Sequence, residues 1–222
     1  MSLAIVTTGP SSSPIDGVRR ITNFATGEIG AFLAEALRAS GFAVVVLRGR
    51  GATHRHSPEG VAVEEFETND DLARLLAQLA ASRANETHAI FHAAALSDYA
   101  VTAVRGPDGS ITREQKIPGN LAPLQLTLEP AAKVLPRLRG WFPQALITAW
   151  KYELEGDAPQ AIAAARRQIT RGYADFSVLN GEAYGPGFGL LAEDKSPVHF
   201  ANKRELADFL ASQAAVFAKS FL

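Results

Sequence analysis

The 222-residue chain contains no cysteine. That excludes disulfide scaffolds, thiolate metal sites and cysteine nucleophiles, and it agrees with a reducing compartment. Nor is there an excess of charge. The 22 Lys and Arg and 23 Asp and Glu give a formal net charge of −1, so no global field draws the chain to nucleic acid or to an anionic membrane, and neither is expected as a partner. No apolar run approaches the roughly 18 residues of a transmembrane helix. The chain enters an apolar strand at once, with no basic segment before a long apolar run, so no secretory leader is expected and the location expected is cytoplasmic. Internal repeats, low-complexity tracts and strong linkers are missing too. What remains is an ordinary globular composition, 47% hydrophobic and 20% charged, long enough for one sizeable core. One domain over residues 1–222, carrying a flap, is expected.

Strand and helix patterns alternate. Leu3–Thr7 reads as a strand, and Glu28–Ser40 as a helix with Ile29, Phe32, Leu33, Ala36 and Leu37 on one face. Gly41 is placed to cap it. Ala43–Leu47 is a valine-rich run suited to a buried parallel strand, and Val61–Phe66 is a weaker one. Thr68 and Asp71 form a capping pattern for a helix to about Ser82. His88–Ala95 is the next strand. A polar stretch, Ser97 to about Pro123, breaks the rhythm as a flap or ribbon. Strands then read at Leu124–Leu128, Ala145–Trp150 and Asp175–Asn180, and helices at Ala131–Arg139 and from Asp157 to about Arg171. A hairpin over Gly187–Leu191 and Ser196–Phe200 and a helix opened by Asn202 and Glu205 complete the chain. This order predicts an α/β fold, Rossmann-like and three-layered, with a mostly parallel sheet between helices.

The segment Pro14–Gly30 is the most informative. An ordinary dinucleotide-binding turn is only a few residues long, whereas here about twenty polar residues separate strand from helix, a length that points to function. Thr26-Gly27-Glu28-Ile29-Gly30 opens the helix, where backbone N–H groups and the helix dipole favour an anion. The two glycines either admit a phosphate or merely tighten the crossing. Asn23 either holds a reacting carbonyl or carboxylate or caps a turn. Arg19 either clamps an anion or is solvated, like Arg20. At the end of a central strand, His92-Ala93-Ala94-Ala95-Leu96-Ser97-Asp98-Tyr99 places small residues and a carboxylate where open α/β sheets bind ligands. Lys116, in the polar flap, can close over a phosphate, or is a surface lysine. His54 and His56 recur like a metal pair without a third ligand. Arg48 and Arg50 follow the second strand, where basic residues can receive the 2′-phosphate of NADP.

Several of these residues together resemble one family. Pro14-Ile15-Asp16-Gly17-Val18-Arg19, then Ile21-Thr22-Asn23 and Thr26-Gly27-x-x-Gly30, are similar to the N-terminal signature of phosphopantothenoylcysteine synthetase (phosphopantothenate–cysteine ligase). Ala94–Tyr99 resembles its second motif, and Gln115-Lys116-Ile117 with Leu126–Glu129 and Lys133-Val134-Leu135 its third. Thr148–Lys151 and Val178-Leu179-Asn180 stand at two looser motifs. In length the chain is similar to the stand-alone form, without the fused flavin decarboxylase domain.

The resemblance implies a Rossmann-like homodimer in coenzyme A biosynthesis. Its substrates would be 4′-phosphopantothenate, cysteine and a nucleoside triphosphate, CTP or ATP, with Mg2+ as cofactor. It implies that Lys116 stabilises the triphosphate and that Asn23 holds the acyl-nucleotide. Ala94, Ala95, Asp98 and Asn180 would meet the nucleotide, Gly9, Thr26 and Gly27 the phosphates, and Arg19 the substrate. Which protein residues would hold the metal is left unassigned, although the Asp98 carboxylate, as a residue type, can hold a metal or accept from a base or ribose. Four positions depart from the family's pattern: Pro10, Pro118, Trp150 and Gly181. Two alternatives stand beside this reading. One is an NADP-dependent short-chain-type reductase, for which Arg48 and Arg50 speak. No Tyr-x-x-x-Lys pair supports it, because Tyr99, Tyr152, Tyr173 and Tyr184 are followed four residues on by Ala103, Gly156, Ser177 and Phe188. The other is a catalytically altered nucleotide-binding homologue.

Overall fold

In a computed structural model, which describes residues 2–112, 115–120, 123–193 and 195–221, the expected alternation becomes one eight-stranded sheet. The first strands are β1 (Leu3–Thr8), β2 (Ser12–Pro14), β3 (Arg20–Thr22), β4 (Ala43–Gly49), β5 (Ala62–Phe66) and β6 (Thr87–His92). They are followed by β7 (Tyr99–Arg105), β8 (Gln125–Pro130), β9 (Leu146–Tyr152), β10 (Phe176–Gly181), β11 (Gly185–Leu191) and β12 (Val198–Phe200). The helices are α1 (Glu28–Ala39), α2 (Asn69–Arg83), α3 (Leu135–Trp141), α4 (Ala158–Thr170) and α5 (Lys203–Lys219). The sheet runs β12-β11-β10-β9-β6-β1-β4-β5. Strands β5 to β10 pair parallel, and β11 and β12 add an antiparallel edge. Renumbered by order of use, the parallel strands read 3-2-1-4-5-6, the doubly wound order whose direction reverses between β1 and β6.

Alternation along the central strands divides the core. Ala4, Val6, Val44, Val46, Phe91 and Val178 face α1 and α5. Leu3, Ile5, Val45, Leu47, Ile90 and Ile147 face α2 and α3, while Leu179 and Leu191 meet α4 on that same side. Strands buried on both faces read as continuous apolar runs, which is why β1 and β4 stand out in the sequence. The helix starts are equally local. Thr68 accepts from Asp71 N and Asp71 returns a bond to the Thr68 N–H, and Asp157 with Gln160 repeats the reciprocal cap. Asn202 accepts from Glu205 N.

Two small sheets leave this frame. β2 and β3 form a hairpin inside the segment read from sequence as a loop. β7 and β8 form the antiparallel ribbon of the expected flap. The run Leu124–Leu128 is thus a ribbon strand and not a return to the central sheet. Within the flap, Arg113, Glu114, Leu121 and Ala122 lie outside the described residues. Among the described residues, no helix is long and apolar enough to cross a membrane.

Candidate active site

The switch point between β1 and β6 carries the first group of expected residues. Beyond the strands themselves the two chains stay joined. Ala93 N donates to Thr7 O at 3.0 Å, Ala95 N to Gly9 O at 2.9 Å, and Ser11 N to Ala95 O at 3.1 Å. Asn23 lies over this seam, its Nδ2 donating to Ala95 O at 3.3 Å and Leu96 O at 3.0 Å. Because both partners are carbonyls, the amide can be oriented only one way. Its donor is committed to the fold, and Oδ1, an acceptor, is what it offers a ligand. Under the seam, Thr7 Oγ1 and His92 Nδ1 are 2.8 Å apart. Burial holds the His92 pKa down at about 4, so the imidazole there is neutral.

Gly9, Gly27 and Thr26 join the same group, with a packing reason for each glycine. Both glycines have positive φ, 76° and 83°, where side chains are strained. A Cβ on Gly9 would lie 2.8 Å from the Ala52 Cβ, and one on Gly27 3.1 Å from it. The two glycines therefore close on Ala52 in the loop after β4. Gly30 is tighter still, since a Cβ there would meet the Thr8 side chain at 2.5 Å. At the start of α1, Thr26 Oγ1 accepts from Glu28 N at 3.3 Å. The Glu28 carboxylate would repel an anion at this end, but Lys203 hydrogen-bonds it and, by that bond first and by its charge second, lowers its pKa. Pro10 has no N–H to give a phosphate, and its carbonyl lies where a Cβ on Gly49 would come within 2.0 Å.

Arg19 and Lys116 form a second group. The turn after β2 is closed by Asp16, whose Oδ1 accepts from Val18 N at 3.0 Å and Arg19 N at 2.7 Å. Its Oδ2 accepts from Arg19 Nε and from Ile117 N, each at 3.1 Å. Gly17 N donates to Gln115 O at 2.7 Å, and the Arg19 guanidinium reaches Ile117 O. Burial pushes the Asp16 pKa up, but the bonds from Val18, Ile117 and Arg19 outweigh it and hold the carboxyl far below the usual range. Arg19 is therefore engaged with Asp16 and the flap. Lys116, between the two anchored flap residues, is exposed and has no ionic partner among the described residues.

Asp98 belongs to a third group. Its carboxylate pairs with Lys133, and both are exposed. Sequence reasoning quoted Lys133 within a motif but gave it no role. It also missed Asn69, the first residue of α2, only 7% exposed. Asn69 accepts from Ser11 Oγ at 2.7 Å and donates to Ser97 O at 2.9 Å and Ala132 O at 3.0 Å. Ser11 Oγ in turn accepts from Ser97 N at 2.8 Å. One side chain thus ties together the loops after β1, β6 and β8, and the last two carry Asp98 and Lys133.

Asn180 stands apart, two strands from β6 and so about 10 Å away at the usual strand spacing. It lines a shallow cavity of about 420 Å³ with Tyr152, Gly181 and Pro186. Gly181 has φ 118°, and a Cβ there would lie 2.2 Å from Glu153 O. That is why a carboxylate residue cannot occupy this position. His54 and His56 meet edge to face at 6.4 Å. Among the described residues, no three His, Asp or Glu side chains converge to hold a metal. The basic loop after β4 is neutralised from β5 and the residue following it. Glu65 takes Arg48 at 3.4 Å and Arg55 at 2.6 Å, and Glu67 takes Arg20 at 2.8 Å and Arg50 at 3.7 Å. With both arginines held, the NADP alternative is not favoured.

The model of the family described as the DNA/pantothenate metabolism flavoprotein C-terminal domain matches residues 2–218. The chain belongs to that family. Human phosphopantothenate–cysteine ligase is 30% identical over 220 residues, covering 75% of this chain and 68% of the human one. The coenzyme A biosynthesis bifunctional protein CoaBC of Thermococcus kodakarensis is 29% identical over 176 residues, which are 79% of this chain but 40% of that protein. The chain spans well under half of that relative's length. Among solved structures, the DNA/pantothenate metabolism flavoprotein of Streptococcus pneumoniae superposes with a TM-score of 0.83 at 21% identity, covering 98% of this chain and all of that one. A Cab2 variant in complex with phosphopantothenate-cysteine gives 0.72 at 16% identity, with 99% and 88% covered. These structures share the fold of the family domain.

Proposed function

We propose that the protein is a phosphopantothenate–cysteine ligase of coenzyme A biosynthesis, acting as one domain over residues 1–222. Membership of the family supports the reaction class. The observation that carries the site is Asn23, docked on the Ala95 and Leu96 carbonyls at the switch point. In the first step a carboxylate oxygen of 4′-phosphopantothenate attacks the α-phosphorus of the nucleoside triphosphate. The bond to the bridging oxygen breaks, and pyrophosphate leaves with its electron pair. Lys116, a cation without an ionic partner among the described residues, stabilises the charge that builds on the phosphates. In the second step the cysteine amine attacks the acyl carbon, the nucleoside monophosphate leaves, and the amine loses a proton. Asn23 Oδ1 can accept an N–H of that amine.

Ala94, Ala95, Asp98 and Asn180 would line the nucleotide's path along the strand ends. Thr26, with Gly9 and Gly27 behind it, would lie toward the phosphates. Arg19, engaged with Asp16 and Ile117, would act on substrate through the flap. Without a metal-binding cluster among the described residues, Mg2+ would arrive on the nucleotide phosphates, where it neutralises charge. Exposed Val18 and Ile21 on the hairpin, Phe24 just after it, and Tyr99 and Leu128 on the ribbon support a homodimer. The use of a nucleoside triphosphate and free cysteine fits the cytoplasm. CTP and ATP are separated by screening the four nucleoside triphosphates.

The test is pyrophosphate release with nucleotide, acid and amine each omitted in turn. Release should need nucleotide and phosphopantothenate but not cysteine. Lys116→Gln should suppress it. Asn23→Ala should let acyl-nucleotide form without turning over. Full release by Lys116→Gln would sink the assignment.

A further inference from the structure

Lys116 is held from both sides by a part of the chain about a hundred residues away. Gln115 O, just before it, accepts from Gly17 N. Ile117 N, just after it, donates to Asp16 Oδ2, and Ile117 O accepts from Arg19. The Ile117 side chain is buried, while the Lys116 side chain is exposed. A flexible cation on a free flap would lose orientational freedom each time it engaged phosphate. A cation whose flanking peptides are already fixed has less to lose. We propose that the turn Ile15–Arg19 is a clasp that positions Lys116, with Asp16 as the positioning residue. This rests on the role given to Lys116 above.

Each part of the clasp has its own physical reason. Asp16 divides its oxygens, one closing the turn on Val18 and Arg19 and the other crossing to the flap. Gly17 is needed for close approach, because a Cβ there would lie 2.6 Å from Gln115 O. Arg19 supplies Asp16 with a cation of its own at 2.7 Å, so the carboxylate does not compete with phosphate for the lysine. The bonds that keep Asp16 ionised also keep the clasp closed across the working pH range.

Two measurements test this. Trypsin cleavage after Lys116, followed by mass spectrometry, reads the grip on the flap without reference to activity. Asp16→Asn and Gly17→Ala should both speed it, while thermal melting checks that they remain folded. Phosphopantothenate-dependent pyrophosphate release reads the consequence. A displacement near 1 Å costs up to about 100-fold, so Asp16→Asn should lower release by about 10- to 100-fold. In a Lys116→Gln background it should cause no further loss, because residues acting through one group are not additive. Equal losses in both backgrounds, or unchanged release despite faster cleavage, would overturn the positioning role. If Lys116→Gln alone lowers release and Asp16→Asn does not, the clasp falls and the ligase reading stands. If Lys116→Gln changes nothing, both fall.

Discussion

Replacing Asn69 with alanine removes three hydrogen bonds at once, one buried and two partly buried. The hydroxyl of Ser11, fully buried, loses the acceptor it has in Asn69 Oδ1 but keeps the bond it accepts from Ser97 N. The carbonyls of Ser97 and Ala132 are different, because each loses its donor outright. A net hydrogen bond contributes about 1 kcal/mol, and a buried polar group left without a partner costs about 1–3 kcal/mol. Ala132 is exposed and Ser97 only partly covered, so water can reach both carbonyls in part. The expected destabilisation is therefore about 2 kcal/mol, below the simple sum of the range. Asn69→Asp is the sharper variant. A carboxylate at the first position of α2 gains about 0.3–1 kcal/mol from the helix dipole. It would also place an acceptor against two carbonyls, and that loss should win. Urea unfolding measures both. The midpoint should fall with an unchanged slope, and further for aspartate than for alanine. If Asn69→Asp were as stable as the parent, dipole and cap would outweigh the loop contacts, and the idea that Asn69 ties three loops would be wrong.

Two other outcomes follow from His92 and from the glycines at the two ends of α1. His92 has its pKa lowered from 6.5 to about 4 by burial, so the unfolded chain binds its proton first as pH falls. Its stabilising contribution is complete above about pH 6.5 and is lost toward pH 4, about 3 kcal/mol in all at 1.36 kcal/mol per unit. His92→Gln should show a shallower fall in urea-measured stability across that window, and an identical slope would refute the assignment. Gly30→Ala should destabilise by about 1–3 kcal/mol through overpacking against Thr8, whereas Gly41→Ala, with φ 88° and open space around it, should show only the smaller strain of a left-handed residue, about 1 kcal/mol. Thermal melting of the two variants should rank them in that order.

Much of the fold can be read locally. β1 and β4 declare themselves by continuous apolar runs, α1 by apolar period, and the starts of α2 and α5 by side chains that cap their own backbone. The hairpin of β2 and β3 was not legible. Its strands are three residues each, Ser12 and Ser13 are buried polar residues, and Pro14 and Arg20 carry no apolar alternation. The run Gln125–Pro130 shows strand character, but nothing local says that its partner is β7 and not β9. The site divides in the same way. Asn23, Ala95 and Lys116 stand in recognisable patterns. Asn69 looks like any polar residue at a helix start, and only tertiary structure brings it to Ser11, Ser97 and Ala132. Likewise Lys133 acquires meaning once Asp98 is beside it, 35 residues away in the chain.

The seam beyond β1 and β6 has a consequence for the shape of what can bind. A doubly wound sheet takes its ligand in the crevice that opens where neighbouring loops part at the switch point. Here the two chains do not part at once. They remain laced through Thr7, Gly9 and Ala95, and Asn23 is fastened across the top. The switch point therefore has a continuous peptide floor, and a ligand bound there as proposed would lie on top of that floor instead of dropping between the strands. Such a floor offers a ligand backbone carbonyls and the Asn23 amide oxygen from one side, so its reacting end would be held by surface contacts and not by enclosure.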